Sequence, residues 1–370
     1  MLASRRSSTV VGLDIEAGSV AASEVISNGS VRLGKTAIAP LATGVTREGE
    51  VSDPEALAGS LKDLFDEHKL PRNVRVGIAN QRVVIRTLRL PLIEKASELE
   101  TAIRFQAAEQ IPMPLEQAVL DWQVLDPDPQ TALNRQMDVV VVAARRETVS
   151  GLARALRAAG LKPVGIDVAA FAMIRALAGE LPLTSAATTA SYEERMRDGD
   201  APTLPVAPTR LYCNLGDVTN LAVARGTACL FTRVSSFGVE GIAQRVAERR
   251  ELSLEHARGW IAHVGLERPP EDIDGDPETV RATRDALAEG ASKLAGELRL
   301  SLDYYGAQEG AVAIEEIVAC GPGTAIPGLT EALQQELGLG LRVGRPAALA
   351  GLDEASAARL TLPYGLGLER

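Results

Sequence analysis

The sequence predicts an α/β protein with two similar lobes that face each other across a cleft. Two strand-turn-strand segments support this prediction, one at residues 10–25 and the other at 210–225. In each, an apolar run leads to a turn with glycine and an acidic residue, and a second apolar run follows with no room for a helix. A third turn, at 319–324, follows a strand-like run and precedes a helical pattern at 329–337. A motif repeated about two hundred residues later indicates duplicated half-domains.

Together the three turns resemble those of the actin and sugar-kinase type of ATPase. Such a turn can bring backbone N–H groups and a small hydroxyl against a phosphate, and a carboxylate at the strand end can hold a hydrated divalent cation. In that fold the first two turns grip phosphates and the third lies beside the adenosine. The resemblance implies these nucleotide-binding residues: Asp14, Gly18, Ser19, Gly216, Asp217, Thr219, Gly321 and Gly323.

Composition limits the class of protein. The chain has 370 residues, of which 46% are hydrophobic and 24% charged, as in a soluble globular protein with two domains. A net charge of −10 argues against a nucleic-acid binder, which needs clustered positive charge. No apolar run approaches the roughly 18 residues of a membrane span, and residues 1–9 lack an apolar signal core. We therefore expect a cytoplasmic protein.

The sequence contains no pattern typical of a metal site or of a catalytic nucleophile. Cys213, Cys229 and Cys320 lie far apart, without a metal-ligand spacing, so buried reduced thiols are expected. His256 and His263 share a helical face but have no third ligand, which favours solvated helix residues. No metal site and no catalytic residue are predicted, since the chain contains no Gly-x-Ser-x-Gly or Walker-type string.

The elements after the first hairpin complete the first lobe. Asp53 and Pro54 form an N-cap followed by a first helical proline, and the helix ends before Pro71. Residues 73–79 alternate as a strand. The first domain is predicted at 1–81, and segments 164–183 and 353–370 are expected to return to it.

A compact β-α-β-β-α unit follows at 82–163 and is predicted to be an inserted subdomain. Its strands are expected at 82–90, 118–125 and 138–144. A capping box at 97–100 begins its first helix, which runs to Ile111, and the second helix closes at Gly160.

The most specific resemblance lies in and around this unit. Residues 86–91 (Arg-Thr-Leu-Arg-Leu-Pro), 102–114, 121–125, 143–147 and 158–167 resemble the type IV pilus assembly protein PilM family. That family is related to the cell-division protein FtsA. The resemblance implies an actin-like (ribonuclease H-like) ATPase fold with a small inserted subdomain.

The remaining chain fits that architecture. A further apolar helix is predicted at 166–181, and residues 184–209, rich in Ser, Thr, Ala and Pro, are expected to be a flexible connector. The second domain is predicted at 210–352 with a helical part at about 239–310, where Leu287, Leu294 and Leu298 share one stripe.

Several positions depart from the family pattern. Glu16 stands where glycine is common in the first turn, and Ala21 stands where lysine usually follows. Asn214 replaces an aspartate that would bind a metal-bound water. Arg258 and Ile261 replace the glutamate and the lysine of the Ala-Glu-x-x-Lys pattern that approaches the ribose in the family. Pro322 replaces a glycine.

These departures predict a degenerate nucleotide site. An anion about 5 Å from a polyphosphate costs roughly 3 kcal/mol at an effective dielectric constant near 20, or about a hundredfold in affinity. We therefore expect the cleft to persist as architecture, with ATP and Mg²⁺ bound weakly or not at all and little or no hydrolysis.

The resemblance implies an adaptor on the cytoplasmic side of the inner membrane. It would bind the N-terminal tail of a PilN-like membrane protein and couple the pilus assembly platform to its motor ATPase. An extended peptide would suit a groove beside the inserted subdomain, with Arg86, Leu88 and Leu90 of the first strand as one wall. The sequence does not decide whether the chain forms a homo-oligomer. The alternatives are an FtsA-like filament-forming ATPase and an active sugar or acetate kinase, although Glu16 and Asn214 speak against the kinase.

Overall fold

The computed structural model describes residues 8–125, 135–179, 207–308 and 310–368. The predicted connector at 184–209 lies outside the described residues as far as residue 206. The fifteen β-strands of the described ranges are β1 Ser8–Ile15, β2 Ser19–Ser27, β3 Val31–Pro40, β4 Thr46–Arg47, β5 Glu50–Val51, β6 Asn73–Ile78, β7 Val84–Pro91, β8 Ala118–Val124, β9 Gln136–Arg145, β10 Lys162–Val168, β11 Thr209–Leu215, β12 Thr219–Arg225, β13 Ala228–Ser235, β14 Glu316–Cys320 and β15 Leu341–Val343. The α-helices of the same ranges are α1 Pro54–Glu67, α2 Ala96–Gln110, α3 Arg146–Ala158, α4 Ala169–Ala178, α5 Val239–Arg250, α6 Leu254–Val264, α7 Pro277–Gly306, α8 Leu329–Leu337 and α9 Glu354–Gly367.

The first lobe is built on a five-stranded sheet with the order β10-β6-β1-β2-β3. Strands β1 to β3 form an antiparallel meander, and β6 and β10 continue the sheet in parallel beyond β1. Helices α1 and α3 cover one face, and their apolar side chains join Val11, Leu13 and Val76 in one core. Helix α1 begins as predicted, with the Asp53 carboxylate accepting hydrogen bonds from the N–H groups of Glu55 and Ala56.

The second lobe repeats this topology. Its sheet has the order β13-β12-β11-β14-β15, again an antiparallel meander followed by two parallel strands. Helices α5 to α8 cover its outer face, where Ile242, Ile261 and Leu294 are among the buried residues. The shared topology confirms the predicted fold of two similar lobes.

Two helices lie between the sheets and join the lobes. Helices α4 and α9 pack against each other and against both sheets, so that Val25 of β2 and Tyr212 of β11 belong to one core. Glycines permit this close packing, because a Cβ atom on Gly365 would lie 2.1 Å from the carbonyl oxygen of Ala172. Helix α9 also passes the tip of the first hairpin, where Arg359 contacts Asp14 and Ser19.

The inserted unit is a separate antiparallel sheet with the order β7-β9-β8. Because side chains alternate along a strand, Val139 and Val141 of β9 face helix α2, whereas Val140 and Val142 face the opposite side. Helix α3 does not join this core. Its Leu156 is buried in the first lobe, against α1.

Two local predictions were wrong. The helix expected from Ile166 begins only at Ala169, because 162–168 form β10 and pair in parallel with β6. A short apolar run does not distinguish a buried strand from a buried helix. The capping box at 97–100 is also absent, since α2 follows Lys95 without a side-chain cap and Glu100 instead accepts a hydrogen bond from Arg104 at 3.1 Å.

Candidate functional site

The first hairpin turn places Asp14, Gly18 and Ser19 at the end of β1 and the start of β2. Asp14 pairs with Ala21 in the β1–β2 register, and the Glu16 N–H donates to the carbonyl oxygen of Ser19 at 2.9 Å. Asp14 is only 7% exposed. The predicted acidic tip therefore forms, but it is buried.

An arginine from the C-terminal helix occupies this tip. Arg359 Nη1 lies 2.5 Å from Asp14 Oδ2, and Arg359 Nε donates to Ser19 Oγ at 2.9 Å. Nη2 donates to the carbonyl oxygens of Asp14 and Ser19 at 3.2 and 3.0 Å. The carboxylate and hydroxyl predicted to serve a metal ion and a phosphate are thus held by the protein's own cation.

Sequence reasoning missed Arg359, although one signal was present. It is a single charged residue inside the apolar run of α9, where it is 6% exposed. Charged residues this deeply buried are almost always paired. The pattern predicts a buried acidic partner, but it does not show which carboxylate that is.

Glu16 lies between the two lobes. Its side chain covers Gly216 of the second hairpin, because a Cβ atom there would come within 2.3 Å of Glu16 Oε1. Arg359 Nε lies 3.5 Å from Glu16 Oε2. Burial raises the pKa of Glu16 to about 8, and Arg359 offsets this only in part. Burial therefore favours the neutral form of Glu16, and the volume of its side chain obstructs the turn at Gly216.

The second hairpin contacts the first directly. The Asp217 carboxylate accepts hydrogen bonds from the backbone N–H groups of Ala17, in the other lobe, at 2.9 Å and of Val218 at 2.7 Å. Burial raises the pKa of Asp217 to about 6, although these two donors oppose the rise. Thr219 faces its own lobe, where its hydroxyl donates to the carbonyl oxygen of Phe237 at 2.8 Å.

The third turn packs on Asn214. Gly321 has a φ of +87°, and a Cβ atom on it would lie 2.2 Å from Asn214 Oδ1. Gly323 lies against Leu215, and Pro322 begins a short 3₁₀ helix. Asn214 therefore supports the neighbouring turn at the position where the family's aspartate would face a metal-bound water.

A second arginine covers the outer side of the first turn. A Cβ atom on Gly18 would lie 2.6 Å from the Arg258 guanidinium carbon, and Arg258 forms two hydrogen bonds with Glu240, at 2.8 and 2.6 Å. By contrast, Ala21 and Ile261 are core residues, 0% and 2% exposed. The three predicted turns thus lie close together, but side chains of the protein itself occupy them.

A polar cavity of about 450 Å³ remains in the cleft beside these turns. Both lobes line it. Its charged lining residues are Arg47, Glu48, Asp217, Glu240, Arg258 and Lys293.

A larger and more apolar cavity, which we call the groove, lies on the far side of β9. It has a volume of about 650 Å³, and its walls come from β8 and β9, from β10 and α4, and from the start of β13. Val140 and Val142 of β9 and Phe171 of α4 are among the apolar residues that line it. Trp122, Asp121 and Arg175 also line it.

The predicted groove wall at 82–90 needs correction. Leu88 and Leu90 are 1% and 2% exposed and pack with Ile103 of α2 in the core of the inserted unit, so neither can touch a partner. Arg86 is exposed, but it lines a different cavity. The alternation along the strand directs Leu88 and Leu90 toward α2.

The cysteine and histidine side chains have their contacts within the protein. Cys213, Cys229 and Cys320 are buried and form no disulfide among the described residues. His263 Nε2 lies 2.8 Å from the Asp274 carbonyl oxygen, and His256 Nδ1 lies 3.1 Å from Ser253 Oγ. The described ranges contain neither a cluster of three potential metal ligands nor a helix long and apolar enough to cross a membrane.

Comparison with known proteins points to one family. Residues 12–192 match the model of the type IV pilus assembly protein PilM. A solved PilM–PilN type IV pilus biogenesis complex contains a chain that is 27% identical and has a TM-score of 0.75, with 97% of each chain covered. The ethanolamine utilization protein EutJ of Carboxydothermus hydrogenoformans is 13% identical, with a TM-score of 0.50 over 99% of this chain and 92% of its own, a similarity of fold alone.

Proposed function

This chain is a relative of the type IV pilus assembly protein PilM, and on that premise we propose that it is a pilus-assembly adaptor that holds the N-terminal tail of a PilN-like inner-membrane protein in the groove. It would thereby lie on the cytoplasmic face of the inner membrane, peripheral to the bilayer. From there it would connect the envelope platform with the assembly motor.

The two-faced inserted sheet is the main support for this proposal. One face is covered by α2, whereas the other presents Val119 of β8 and Val140 and Val142 of β9 to a cavity of about 650 Å³. Ile166 and Phe171 of the first lobe line the same cavity. A lining of apolar residues from both the inserted sheet and the first lobe suits the side chains of an extended peptide.

Strand β8 adds a backbone contribution. In the order β7-β9-β8 it is an edge strand, so one row of its N–H and C=O groups is not used in the sheet. An extended tail can pair with such an edge while its alternate side chains enter the cavity. Asp121 and Gln123, which lie on the groove side of β8, would then select polar residues of the tail.

Binding of a fluorescent peptide with the sequence of the partner's N-terminal tail tests this function. Val119→Glu should weaken binding by about tenfold or more, because it places a charge in an apolar wall. Val124→Glu is a matched control, since Val124 lies on the same strand, is 42% exposed and does not line the groove. Equal affinity of both variants and the wild type, with unchanged circular dichroism, would refute docking in the groove.

We further propose that the adaptor works without tight nucleotide binding. Arg359 holds Asp14 and Ser19, Glu16 covers Gly216, and Arg258 lies on Gly18. A triphosphate would have to displace these contacts to reach the turns. Isothermal titration should show no saturable Mg-ATP binding in the micromolar range, and micromolar, magnesium-dependent binding would overturn the proposal.

A further inference from the structure

Positive charge is concentrated on helix α3 and the residues that flank it. Between residues 145 and 162 the chain has these cationic residues: Arg145, Arg146, Arg154, Arg157 and Lys162. Glu147 is the only acidic residue of the segment, whereas in the whole chain 49 acidic residues outnumber 39 basic ones. All of these cations are exposed. A protein with a net charge of −10 therefore has a positively charged surface at α3.

The helix directs its arginines away from the first lobe. Its buried side, with Leu152 and Leu156, packs into the core of that lobe. At about 100° per residue, Arg146, Arg154 and Arg157 fall within an arc of about 80° on the opposite side. Arg145 precedes the helix and Lys162 follows it at the start of β10, so cations extend past both of its ends. We call these five cationic residues the basic face.

The charges of the basic face are not neutralised by carboxylates of the protein. None of its residues forms an ion pair within the ranges that the structure describes. Arg146 donates to a backbone carbonyl oxygen instead, that of Ala118, at 2.8 Å. By contrast, two exposed arginines of α5, Arg245 and Arg249, both pair with Glu289. The basic face is therefore open to an anion from outside the protein.

The basic face borders the groove. Val149 of α3 lines the groove, and so does Ile166 of β10, the strand that begins at Lys162. Val164, between these two residues of β10, is an apolar side chain that is 52% exposed on an edge strand. A membrane protein whose tail lies in the groove would hold this side of the chain close to the bilayer. Exposed charges act over about 8–10 Å at physiological salt, so a bilayer at that distance would attract the basic face.

From this charge and its position we propose that the basic face binds the anionic headgroups of a phospholipid bilayer. The inference rests on the proposed function for the orientation of the protein, but the contact is made with lipid and needs no tail. Clusters of about four to eight Lys and Arg residues beside a membrane bind acidic lipids, and each cation near the surface contributes about fivefold in affinity. The contact would concentrate the adaptor at the bilayer, where the tail is presented.

Flotation of the full chain with lipid vesicles, without tail peptide, tests this inference. The protein should bind vesicles that contain phosphatidylglycerol but not vesicles of pure phosphatidylcholine, and added salt should weaken the binding steeply. Arg154→Gln combined with Arg157→Gln should weaken it about 25-fold, because two cations are lost. Arg281→Gln combined with Arg299→Gln is the matched control and should bind like the wild type. It loses the same charge, and both arginines are exposed on α7 in the second lobe.

Three results overturn the inference. The first is no binding to the anionic vesicles, and the second is an equal loss in the two double variants, which would show an effect of net charge alone. The third is binding to a DNA duplex in preference to the vesicles, which would assign the basic face to nucleic acid.

Peptide binding separates this inference from the proposed function. Arg154 and Arg157 do not line the groove, so their double variant should bind the tail peptide like the wild type. Val119→Glu, which should lose the peptide, should still float with the anionic vesicles. Normal peptide binding without vesicle binding would refute the lipid contact and leave the tail site unaffected.

Discussion

Arg359 of the last helix and Asp14 of the first strand form a buried ion pair at 2.5 Å, although 345 positions separate them along the chain. Both side chains are less than 10% exposed. The arginine also binds Ser19 and approaches Glu16, so a single guanidinium is in contact with three of the first turn's polar groups. A cation thus already lies where the resemblance implies a hydrated metal ion, and it belongs to the protein.

Loss of this cation should destabilise the protein strongly. Arg359→Ala leaves the Asp14 carboxylate buried and unpaired, so the free energy of unfolding should fall by about 3–5 kcal/mol in urea titrations. Arg104→Ala is the control, because both side chains of its ion pair with Glu100 are about half exposed and the pair should be worth about 1 kcal/mol or less. Adding Asp14→Asn to Arg359→Ala should recover part of the loss, and simple additivity of the two changes would argue against the pair.

Stability should fall as pH rises from about 5 toward 8. The folded protein holds a proton on Glu16 up to a pKa of about 8, whereas the unfolded chain loses it near the ordinary value of 4.5. The native state binds the extra proton within this window, so raising the pH removes stability, by an amount on the order of a few kcal/mol. Asp217, with its pKa raised to about 6, contributes in the same direction below that pH.

The Glu16→Gln variant isolates this effect. A neutral amide cannot ionise, so its urea midpoint should change less between pH 6 and pH 8.5 than that of the wild type. Glu109→Gln, at the exposed end of α2, should retain the wild-type profile. If Glu16→Gln and the wild type have parallel profiles, Glu16 is not the group that titrates.

The stability cost of a side chain at position 216 should depend on whether Glu16 is present, because the two residues are in contact. Gly216→Ala puts a methyl group 2.3 Å from Glu16 Oε1 and should cost about 1–3 kcal/mol of stability. In a Glu16→Ala background the same change should cost clearly less. Gly259→Ala serves as comparison, since it lies within α6 with open space around it and should stabilise by about 0.5–1 kcal/mol.

Removing the Glu16 side chain should improve nucleotide binding. Glu16→Gly clears the space above Gly216 and should tighten Mg-ATP binding about tenfold or more relative to the wild type, as measured by titration at millimolar nucleotide. Glu109→Gln should not change it. If Glu16→Gly and the wild type bind equally, the obstruction lies elsewhere, with Arg359 as the next residue to test.

Local patterns account for most of the predicted elements. The Asp53–Pro54 start of α1 and both hairpins depend on residues close in sequence, and the structure has them where expected. The helix predicted from Ile166 was wrong because pairing with β6 overrides an ambiguous apolar run. Leu88 and Leu90 were assigned to a groove for a similar reason, since alternation defines two faces of a strand but not which one a helix covers.

By itself the sequence determined the two lobes, the inserted unit and the hairpin turns that contain glycine and an acidic residue. Each of these features depends on short-range periodicity and on the chemistry of turn residues. It also contained the departures at Glu16 and Asn214. Only the tertiary structure decided what those turns hold. Helix α9 passes between the sheets and brings Arg359 to Asp14, and a contact between the two ends of a chain has no local sequence signature.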